Sequence, residues 1–412
     1  MAVGCLFIAE LGQRDHTAGV FLNTEPMKAQ ALFLSLVLAA LALPLQMRGQ
    51  EPPVDFDKAR RIFERSKRGE KVTDEERAYV QRAMKARQQA QENQPQGKGG
   101  KGLPPPPPKW TEHLTPLTEL GAAKHKGEDG GLYGGGQNEP PKAHFTAALK
   151  ESANIRPLDA EGHASEDGRI GLLSVGMSNT TQEYSRFMAA ANGDTQKSPK
   201  VVLVDGAQGG QTGTRWADPN AALWQQVDER VSRAGLTAKQ IQVAWMKQAE
   251  AGPARLGEFP KHAQVLKDNL VTALGHLKQR FPNLRIVYLS SRIYGGYATT
   301  ALNPEPYAYE EAFSMRWLIQ DQIAGKPELN YDAARGAVKA PLLLWGPYLW
   351  ADGETPRKDN GLTYQPGDFG NDGTHPSDTG RAKVAELLLK FLKTDPTAKG
   401  WFTGKSSQVG GR

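Results

Sequence analysis

Short apolar segments alternate with longer amphipathic ones from about residue 168 onward, and this alternation constrains the fold more than any other feature of the sequence. Five segments have the length and apolar content of buried strands, and each precedes a stretch with helical spacing. The predicted strands are Ile170–Val175, Lys200–Val204, Ile241–Trp245, Arg285–Leu289 and Leu342–Trp345. The predicted helices are about 181–191, 219–234, 260–280, 307–324 and 377–393. Because each strand is followed by a helix, the pattern predicts a three-layer α/β/α, flavodoxin-like domain with a five-stranded parallel sheet.

A ligand of such a sheet binds beyond the carboxyl ends of its strands, so the residues after each strand are the first candidates for a site. After the first strand the chain reads Gly176-Met177-Ser178-Asn179. A serine on a tight turn between a strand and a helix exposes its hydroxyl. Its backbone N–H then lies at a helix start, where negative charge is favoured. In the alternative interpretation, Ser178 or Asn179 only caps the helix.

The loops after the second and last strands carry groups that a nucleophilic serine needs. The glycines between Asp205 and Thr212 could offer backbone N–H groups to an oxyanion, or could serve only a tight turn. Asp372 and His375 stand three residues apart before the last helix. A carboxylate there can hold the imidazole in the tautomer that accepts a proton from serine. Alternatively, this turn only starts the helix, with Ser377 as its cap.

Taken together, these three segments resemble the SGNH (GDSL-like) hydrolase family over about residues 168–394, as a divergent secreted bacterial member. The resemblance implies a three-layer α/β/α fold and the hydrolysis of esters, often the deacetylation of carbohydrates. It also implies that Ser178 is the nucleophile, His375 the general base and Asp372 the residue that orients the imidazole. Gly210 and the backbone N–H of Ser178 would line the oxyanion hole.

Two departures from the family pattern are present. The family's first block usually reads Gly-Asp-Ser, whereas Met177 replaces the Asp here. The family usually supplies an oxyanion-hole Asn after the third strand, but the segment from Val243 to Glu250 contains none. Gln248 or Lys247 could donate instead, and Gln248 is the residue that we expect in the hole. Since loss of one such donor typically costs about 2.7–4 kcal/mol of transition-state stabilisation, a slower esterase is expected.

Four further residues are candidates for contact with a substrate: Gln211, Trp245, Arg292 and Tyr133. Trp245, like the other aromatic residues near strand ends, could stack on a sugar ring or pack in the core. Arg292 could meet an anionic group of the substrate or form a surface salt bridge. Tyr133 lies in the glycine-rich segment 127–136, which is either a surface loop or the rim of the active site.

The sequence offers no pattern for a metal or nucleotide site. It contains one Cys, and its eight histidines form neither His-x-His nor His-Glu-x-x-His. Gly404-Lys405-Ser406 lacks the earlier glycine and the following helix of a phosphate-binding loop. We therefore expect no metal, no cofactor and no nucleic acid, and the predicted partner is an acylated carbohydrate or another small ester.

The amino-terminal part of the chain contains a targeting pattern. Ala29 to Leu45 is an apolar run of 17 residues behind Met27-Lys28, whereas a membrane span needs about 20 residues. The pattern is typical of a secretory signal peptide over 27–42, with a retained anchor or a core helix as alternatives. Residues 1–26 are interpreted as an upstream extension. The mature protein is then expected to be secreted or periplasmic and to lack Cys5.

A basic helical hairpin is predicted over 51–91, with a capping box formed by Thr73 and Glu76. Residues 51–102 contain 13 Lys and Arg against 9 Asp and Glu, so most of the chain's net charge of +6 lies here. The helices, at 55–91, are predicted either to contact an anionic surface or a partner protein, or to form a solvated hairpin without a partner.

A linker with five consecutive prolines is predicted over 92–109, and the SGNH-like domain over 110–400, with its core at 168–394. Three functions are compatible with this organisation. The first is a secreted serine esterase that acts through an acyl-enzyme. The second is an SGNH fold that binds a glycan without hydrolysing it, as Met177 and the missing Asn suggest. The third is an envelope-attachment protein whose basic hairpin is the functional part. The oligomeric state is left open.

Overall fold

The computed structural model describes residues 59, 62–63, 65–66, 70–92, 107 and 109–404, with the backbone alone for 84–92. The chain divides into two units, residues 1–100 and 101–412. The predicted upstream extension and signal peptide, and nearly all of the predicted linker, lie outside the described residues. Among the helices in the described ranges, none is long and apolar enough to cross a membrane.

In the amino-terminal unit, helix α1 spans Asp74–Glu92. The capping box predicted at its start is present. The hydroxyl of Thr73 accepts a hydrogen bond from the Glu76 N–H at 3.1 Å, and the Glu76 carboxylate accepts one from the Thr73 N–H at 3.0 Å. Arg65 donates a further hydrogen bond to Glu76 at 2.9 Å. The two hydrogen bonds between Thr73 and Glu76 satisfy backbone N–H groups that a helix start leaves free.

The carboxy-terminal unit contains one all-parallel sheet of five strands in the order β2-β1-β3-β4-β5. The strands are β1 Ile170–Gly176, β2 Val201–Val204, β3 Ile241–Lys247, β4 Ile286–Leu289 and β5 Leu342–Trp345. Their side chains are buried almost throughout, because helices cover both faces of the sheet. The predicted fold class is thus confirmed, and every predicted strand end lies within two residues of the observed one.

The helices of this unit form the two outer layers. They are α2 Leu117–Leu120, α3 Lys142–Ala153, α4 Ser178–Asn192, α5 Gly213–Ala217, α6 Leu223–Arg233, α7 Lys261–Arg280, α8 Tyr307–Ile323, α9 Asp378–Thr394 and α10 Lys399–Thr403. Right-handed crossovers place α4, between β1 and β2, on the opposite face from α7 and α8, which connect β3 to β4 and β4 to β5. Helix α9 packs against α4, and α7 packs against α5 and α8.

The order of the strands reverses at β1, which has β2 on one side and β3 on the other. At such a reversal the loops after the two central strands diverge and leave a crevice at the carboxyl edge of the sheet. Gly176, the last residue of β1, permits a close approach here, because a β-carbon at this position would lie 2.4 Å from the carbonyl oxygen of Lys247. The fold therefore places the residues that follow β1 at the crevice.

We predict that Leu172→Ala destabilises the carboxy-terminal unit by about 2–5 kcal/mol. Leu172 lies in β1 between two neighbouring strands and is fully buried, so the truncation leaves a cavity in the sheet core. Urea unfolding followed by tryptophan fluorescence measures the change. Leu149→Ala is the matched control, since Leu149 is 39% exposed and should cost under about 1 kcal/mol. Equal losses in the two variants would contradict this description of the core.

Candidate active site

Three side chains form a hydrogen-bonded chain at the crevice. The Oγ of Ser178 lies 2.7 Å from Nε2 of His375. The Nδ1 of the same imidazole lies 2.5 Å from Oδ2 of Asp372. Ser178 is the first residue of α4, whereas Asp372 and His375 lie in the turn before α9. Ser178 and His375 are 197 residues apart in the chain. The structure thus brings together all three residues of the predicted triad.

The hydrogen bonds that Asp372 accepts lower its pKa and favour its ionised form. Although burial acts to raise its pKa, hydrogen bonds from the imidazole of His375 and from the backbone N–H groups of His375 and Thr374 lower the pKa of Asp372 to about 2. An ionised carboxylate accepts the Nδ1–H of the imidazole and leaves Nε2 free to accept a proton. The hydroxyl of Ser178 is the donor within reach of that nitrogen.

The turn that carries Asp372 and His375 is fixed by backbone contacts. The N–H of Gly370 donates to the His375 carbonyl at 2.8 Å, and the N–H of Thr299 donates to the Asp372 carbonyl at 2.9 Å. Gly373 has a φ of +61°, and a β-carbon on it would overlap the carbonyl oxygen of Tyr297. Glycine is therefore required both by the left-handed backbone and by the close approach of the loop after β4.

The loop after β2, residues 205–212 and here called the glycine loop, crosses the end of β1 and lies against the serine. The N–H of Gln208 donates to the carbonyl of Gly176 at 3.1 Å. A β-carbon on the next residue, Gly209, would lie 3.9 Å from the Cβ of Ser178, whereas one on Gly210 would meet nothing within 4 Å. Within the described residues, the backbone N–H groups of Ser178, Gly209 and Gly210 have no protein acceptor. These groups could therefore donate to a developing oxyanion.

The sequence indicates Gly210, and not Gly209, as the glycine of the oxyanion hole. The two glycines are adjacent, and no local sequence signal determines which of them faces the serine.

Glu250 stabilises the glycine loop by hydrogen bonds just after its end. The sequence did not indicate Glu250 as a functional residue. Its carboxylate accepts hydrogen bonds from the N–H and hydroxyl of Thr214, at 2.7 and 3.0 Å, and from the amide of Asn269 at 3.0 Å. The N–H of Gly213 donates to the Ala249 carbonyl at 3.2 Å. The loop after β3 thus holds the carboxyl-terminal end of the glycine loop.

Neither of the two residues proposed to replace the family's Asn reaches Ser178 through a hydrogen bond. The amide of Gln248 is fully buried and directed at the carbonyl of Gln211, at a long 3.4 Å. The ammonium of Lys247 donates to both carboxylate oxygens of Glu183, at 2.6 and 2.5 Å, with both side chains fully buried. Gln248 therefore supports the glycine loop, and Lys247 is already committed to an ion pair.

The structure places Trp245 and Arg292 in the interior. Trp245 is 1% exposed, donates its indole N–H to Ser290 at 2.9 Å and stacks on Tyr184 of α4. Arg292 is also buried and donates to Asn303 at 3.1 Å. Burial lowers the pKa of Arg292, while the nearby carboxylates of Glu311 and Glu183 oppose this. Both side chains therefore lie where a substrate does not reach, and Arg292 forms no surface salt bridge with any residue in the described ranges.

Tyr133 lies in a segment held by β5 and α8, whereas Gln211 lies in the loop after β2. Trp345 of β5 donates to the carbonyl of Leu132, and Gln320 of α8 donates to the carbonyl of Tyr133 at 3.0 Å, so the glycine-rich segment is built onto β5 and α8. Strands β3 and β4 separate β5 from β1, a distance of about 14 Å. Gln211 is partly exposed and follows Gly210 in the same loop whose Gly209 lies against Ser178, so it stays the substrate candidate on that loop.

Among the described residues, no cluster of three or more His, Cys, Asp or Glu side chains is arranged as metal ligands would be. The fold and the site together define an α/β/α protein with a Ser-His-Asp triad at the carboxyl edge of its sheet.

Similarity to solved structures is weak, and the sequence matches no family model and no curated protein. A gut microbial diltiazem-metabolizing enzyme is 16% identical, with a TM-score of 0.31 over 56% of this chain and 47% of that enzyme. The chain thus spans about half the length of that enzyme. A protein of Bacteroides fragilis NCTC 9343, described as a candidate acylhydrolase, is 14% identical, with a TM-score of 0.31 over 61% of this chain and 96% of that protein. With similarity this low, the function is inferred from the geometry of the site.

We predict that the stability difference between the wild type and Asp372→Asn depends on pH. Because the folded-state pKa of Asp372 is lowered to about 2, its carboxylate stabilises the fold fully above its ordinary pKa, and this contribution is lost as the pH falls toward 2. The wild type should be the more stable protein at pH 6, and the gap should shrink between pH 4 and pH 2 (about the two pKa values). Urea unfolding of both proteins across this range measures the gap. A stability gap that stays constant would show that the hydrogen bonds do not lower the pKa of Asp372.

Proposed function

We propose that this protein is a serine hydrolase of SGNH type that cleaves a carboxylic ester through an acyl-enzyme. The observation that carries the proposal is the continuous hydrogen-bonded chain from Ser178 Oγ through His375 to Asp372. A serine whose hydroxyl contacts an imidazole that is oriented by a carboxylate is the arrangement needed to activate an oxygen nucleophile.

Each step can be assigned to a residue of the site. Nε2 of His375 takes the proton of Ser178 as Oγ bonds to the ester carbonyl carbon, and the oxyanion forms next to the N–H groups of Ser178 and the glycine loop. The imidazolium then protonates the leaving alcohol as the ester C–O bond breaks. In the second half, His375 takes a proton from water, the hydroxide attacks the acyl carbon, and the proton returns to Oγ as the acid leaves. Asp372 stays ionised throughout and stabilises the imidazolium.

The natural substrate that we propose is an acetylated carbohydrate, and the resemblance to the SGNH family supports this choice. We further propose that the enzyme acts outside the cytoplasm, since residues 27–42 have the pattern of a signal peptide. The basic segment 55–91 would then attach it to an anionic surface or a partner protein. The alternative is an SGNH fold that binds a glycan without catalysis, which the absence of a side-chain oxyanion donor after β3 favours.

We predict that Ser178→Ala lowers kcat for p-nitrophenyl acetate by about 10⁴-fold or more, because no other group replaces the nucleophile. Asp372→Asn should lower kcat by about 10⁴-fold, through the wrong imidazole tautomer. Release of p-nitrophenol and labelling by a fluorophosphonate probe provide the measurements. Ser185→Ala is the matched control: Ser185 is an exposed serine of the same helix, 3.4 Å from Asp205, and its removal should leave turnover and labelling intact.

The two function classes give different outcomes in this assay. An esterase shows turnover and labelling that disappear in Ser178→Ala and persist in Ser185→Ala. Wild-type protein that neither turns over the ester nor labels at Ser178, but binds an acetylated glycan in calorimetry, would reject the enzyme in favour of the binding protein.

We also predict that removal of residues 51–100 leaves kcat unchanged within about twofold, since a separate unit should fold and act alone. The triad and the glycine loop belong to residues 101–412. The same p-nitrophenyl acetate assay on the shortened chain measures the effect. A loss of activity with retained secondary structure would show that the amino-terminal unit contributes to the site.

A further inference from the structure

Asn179, the residue after Ser178, makes a second connection between α4 and the turn that carries His375. Its Nδ2 donates to the carbonyl oxygen of Thr374 at 2.8 Å. Asn179 and Thr374 are each 1% exposed, so water does not compete for this hydrogen bond. Two consecutive residues of α4 therefore contact two consecutive residues of the turn, with Ser178 on His375 and Asn179 on Thr374.

The orientation of the Asn179 amide is determined by its partner. The Thr374 carbonyl can only accept, so the NH₂ group of the amide must face it. The Oδ1 of Asn179 is then buried without a hydrogen-bond partner among the described residues. A buried acceptor without a partner is unfavourable for stability, and such groups are uncommon in native proteins. An apolar residue would avoid this cost, which indicates that the donor at this position has a role beyond the packing of α4.

The remaining contacts of the turn do not lead to α4. Asp372 Oδ1 accepts from Thr374 and His375 within the turn, and the Asp372 carbonyl accepts from Thr299 of the loop after β4. In the described part of the chain, the bonds from Ser178 and Asn179 are the hydrogen bonds that join α4 to residues 369–377. The distance between nucleophile and imidazole thus depends on these two bonds and on the apolar packing of α9 against α4.

We propose that Asn179 is a positioning residue for the reaction, which holds His375 in place while Ser178 carries the acyl group. This inference rests on the proposed function. In the free enzyme the hydroxyl of Ser178 donates to His375 and helps to hold the turn. In the acyl-enzyme Oγ has no proton, so that hydrogen bond cannot form. Among the described residues, the hydrogen bond from Asn179 to Thr374 is then the one that still joins α4 to the turn. His375 must then accept a proton from the hydrolytic water, and a displacement of about 1 Å can cost about 10²-fold in rate.

The test separates acylation from deacylation in Asn179→Leu, a variant of similar size that cannot donate. Stopped-flow release of p-nitrophenol from p-nitrophenyl acetate gives the acylation rate, the steady-state deacylation rate, and a burst amplitude that counts functional sites. We expect deacylation to slow by about 10–100-fold and acylation by less, with KM not increased and the burst amplitude retained.

Thr180→Val is the matched control on the neighbouring residue. Thr180 is 1% exposed and donates its hydroxyl to a backbone carbonyl at 2.7 Å, but that carbonyl belongs to Lys247 of β3 and not to the His375 turn. Thr180→Val should lower the urea midpoint by an amount similar to Asn179→Leu and leave both rate constants within about threefold of the wild type. A change in stability alone therefore cannot produce the expected kinetic pattern.

Each result decides the question. Equal slowing of acylation and deacylation in Asn179→Leu, or a burst amplitude that falls with the rate, would show a purely structural role and overturn the inference. If Asn179→Leu does not fold, Asn179→Ala replaces it, because the smaller side chain lets water reach the Thr374 carbonyl; the same split between the two rates is expected. A wild type without Ser178-dependent turnover would remove the proposed function and this role together, whereas a wild type that turns over beside an unaffected Asn179 variant would remove this role alone.

Discussion

The reversal of strand order at β1 is the constraint on which the site depends. Parallel strands are joined by right-handed crossovers, so the chain leaves β1 for β2 on one side, and β3, β4 and β5 follow on the other. The loops after β1 and β2 and the turn before α9 therefore meet at one point of the sheet edge. Ser178 and His375 are 197 residues apart in the chain, yet their side chains lie 2.7 Å apart, because the topology returns α9 to the face that α4 occupies.

The close approach of these loops also buries charged side chains. Their burial is tolerated because the opposite charges pair with each other. Lys247, at the end of β3, and Glu183, in α4, are both fully buried and form a direct ion pair. Burial lowers the pKa of Lys247 to about 8, against the opposing effect of Glu183. Loss of one partner from such a pair typically costs about 3–5 kcal/mol. The pair joins the helix that begins at Ser178 to the end of β3, which explains why this lysine is not available to an oxyanion.

The sheet could be predicted from the sequence because a strand that is buried on both faces must be apolar along its whole length, and five such runs stand out. The triad could be predicted because its residues follow strand ends or precede a helix. The surroundings of the triad could not be predicted, since proximity to a strand end does not reveal the face on which a side chain lies. Trp245 points into the layer of α4 and stacks on Tyr184. Arg292 and Glu250 are charged residues in loops, which favours exposure, and their burial depends on partners that are distant in sequence.

Gln248 is directed at the Gln211 carbonyl and Lys247 is paired with Glu183, so the proposed oxyanion hole would depend on backbone donors. An asparagine in an oxyanion hole can adjust its rotamer, whereas the N–H groups of Ser178 and Gly209 move only with the backbone that carries them. In the proposed reaction, stabilisation of the oxyanion therefore depends on how firmly the glycine loop is held. Burial raises the pKa of Glu250, against the opposing effect of hydrogen bonds from Asn269 and Thr214. Because this carboxylate accepts hydrogen bonds from Thr214 and Asn269, it would help to hold the geometry of the proposed oxyanion hole although it lies outside the triad.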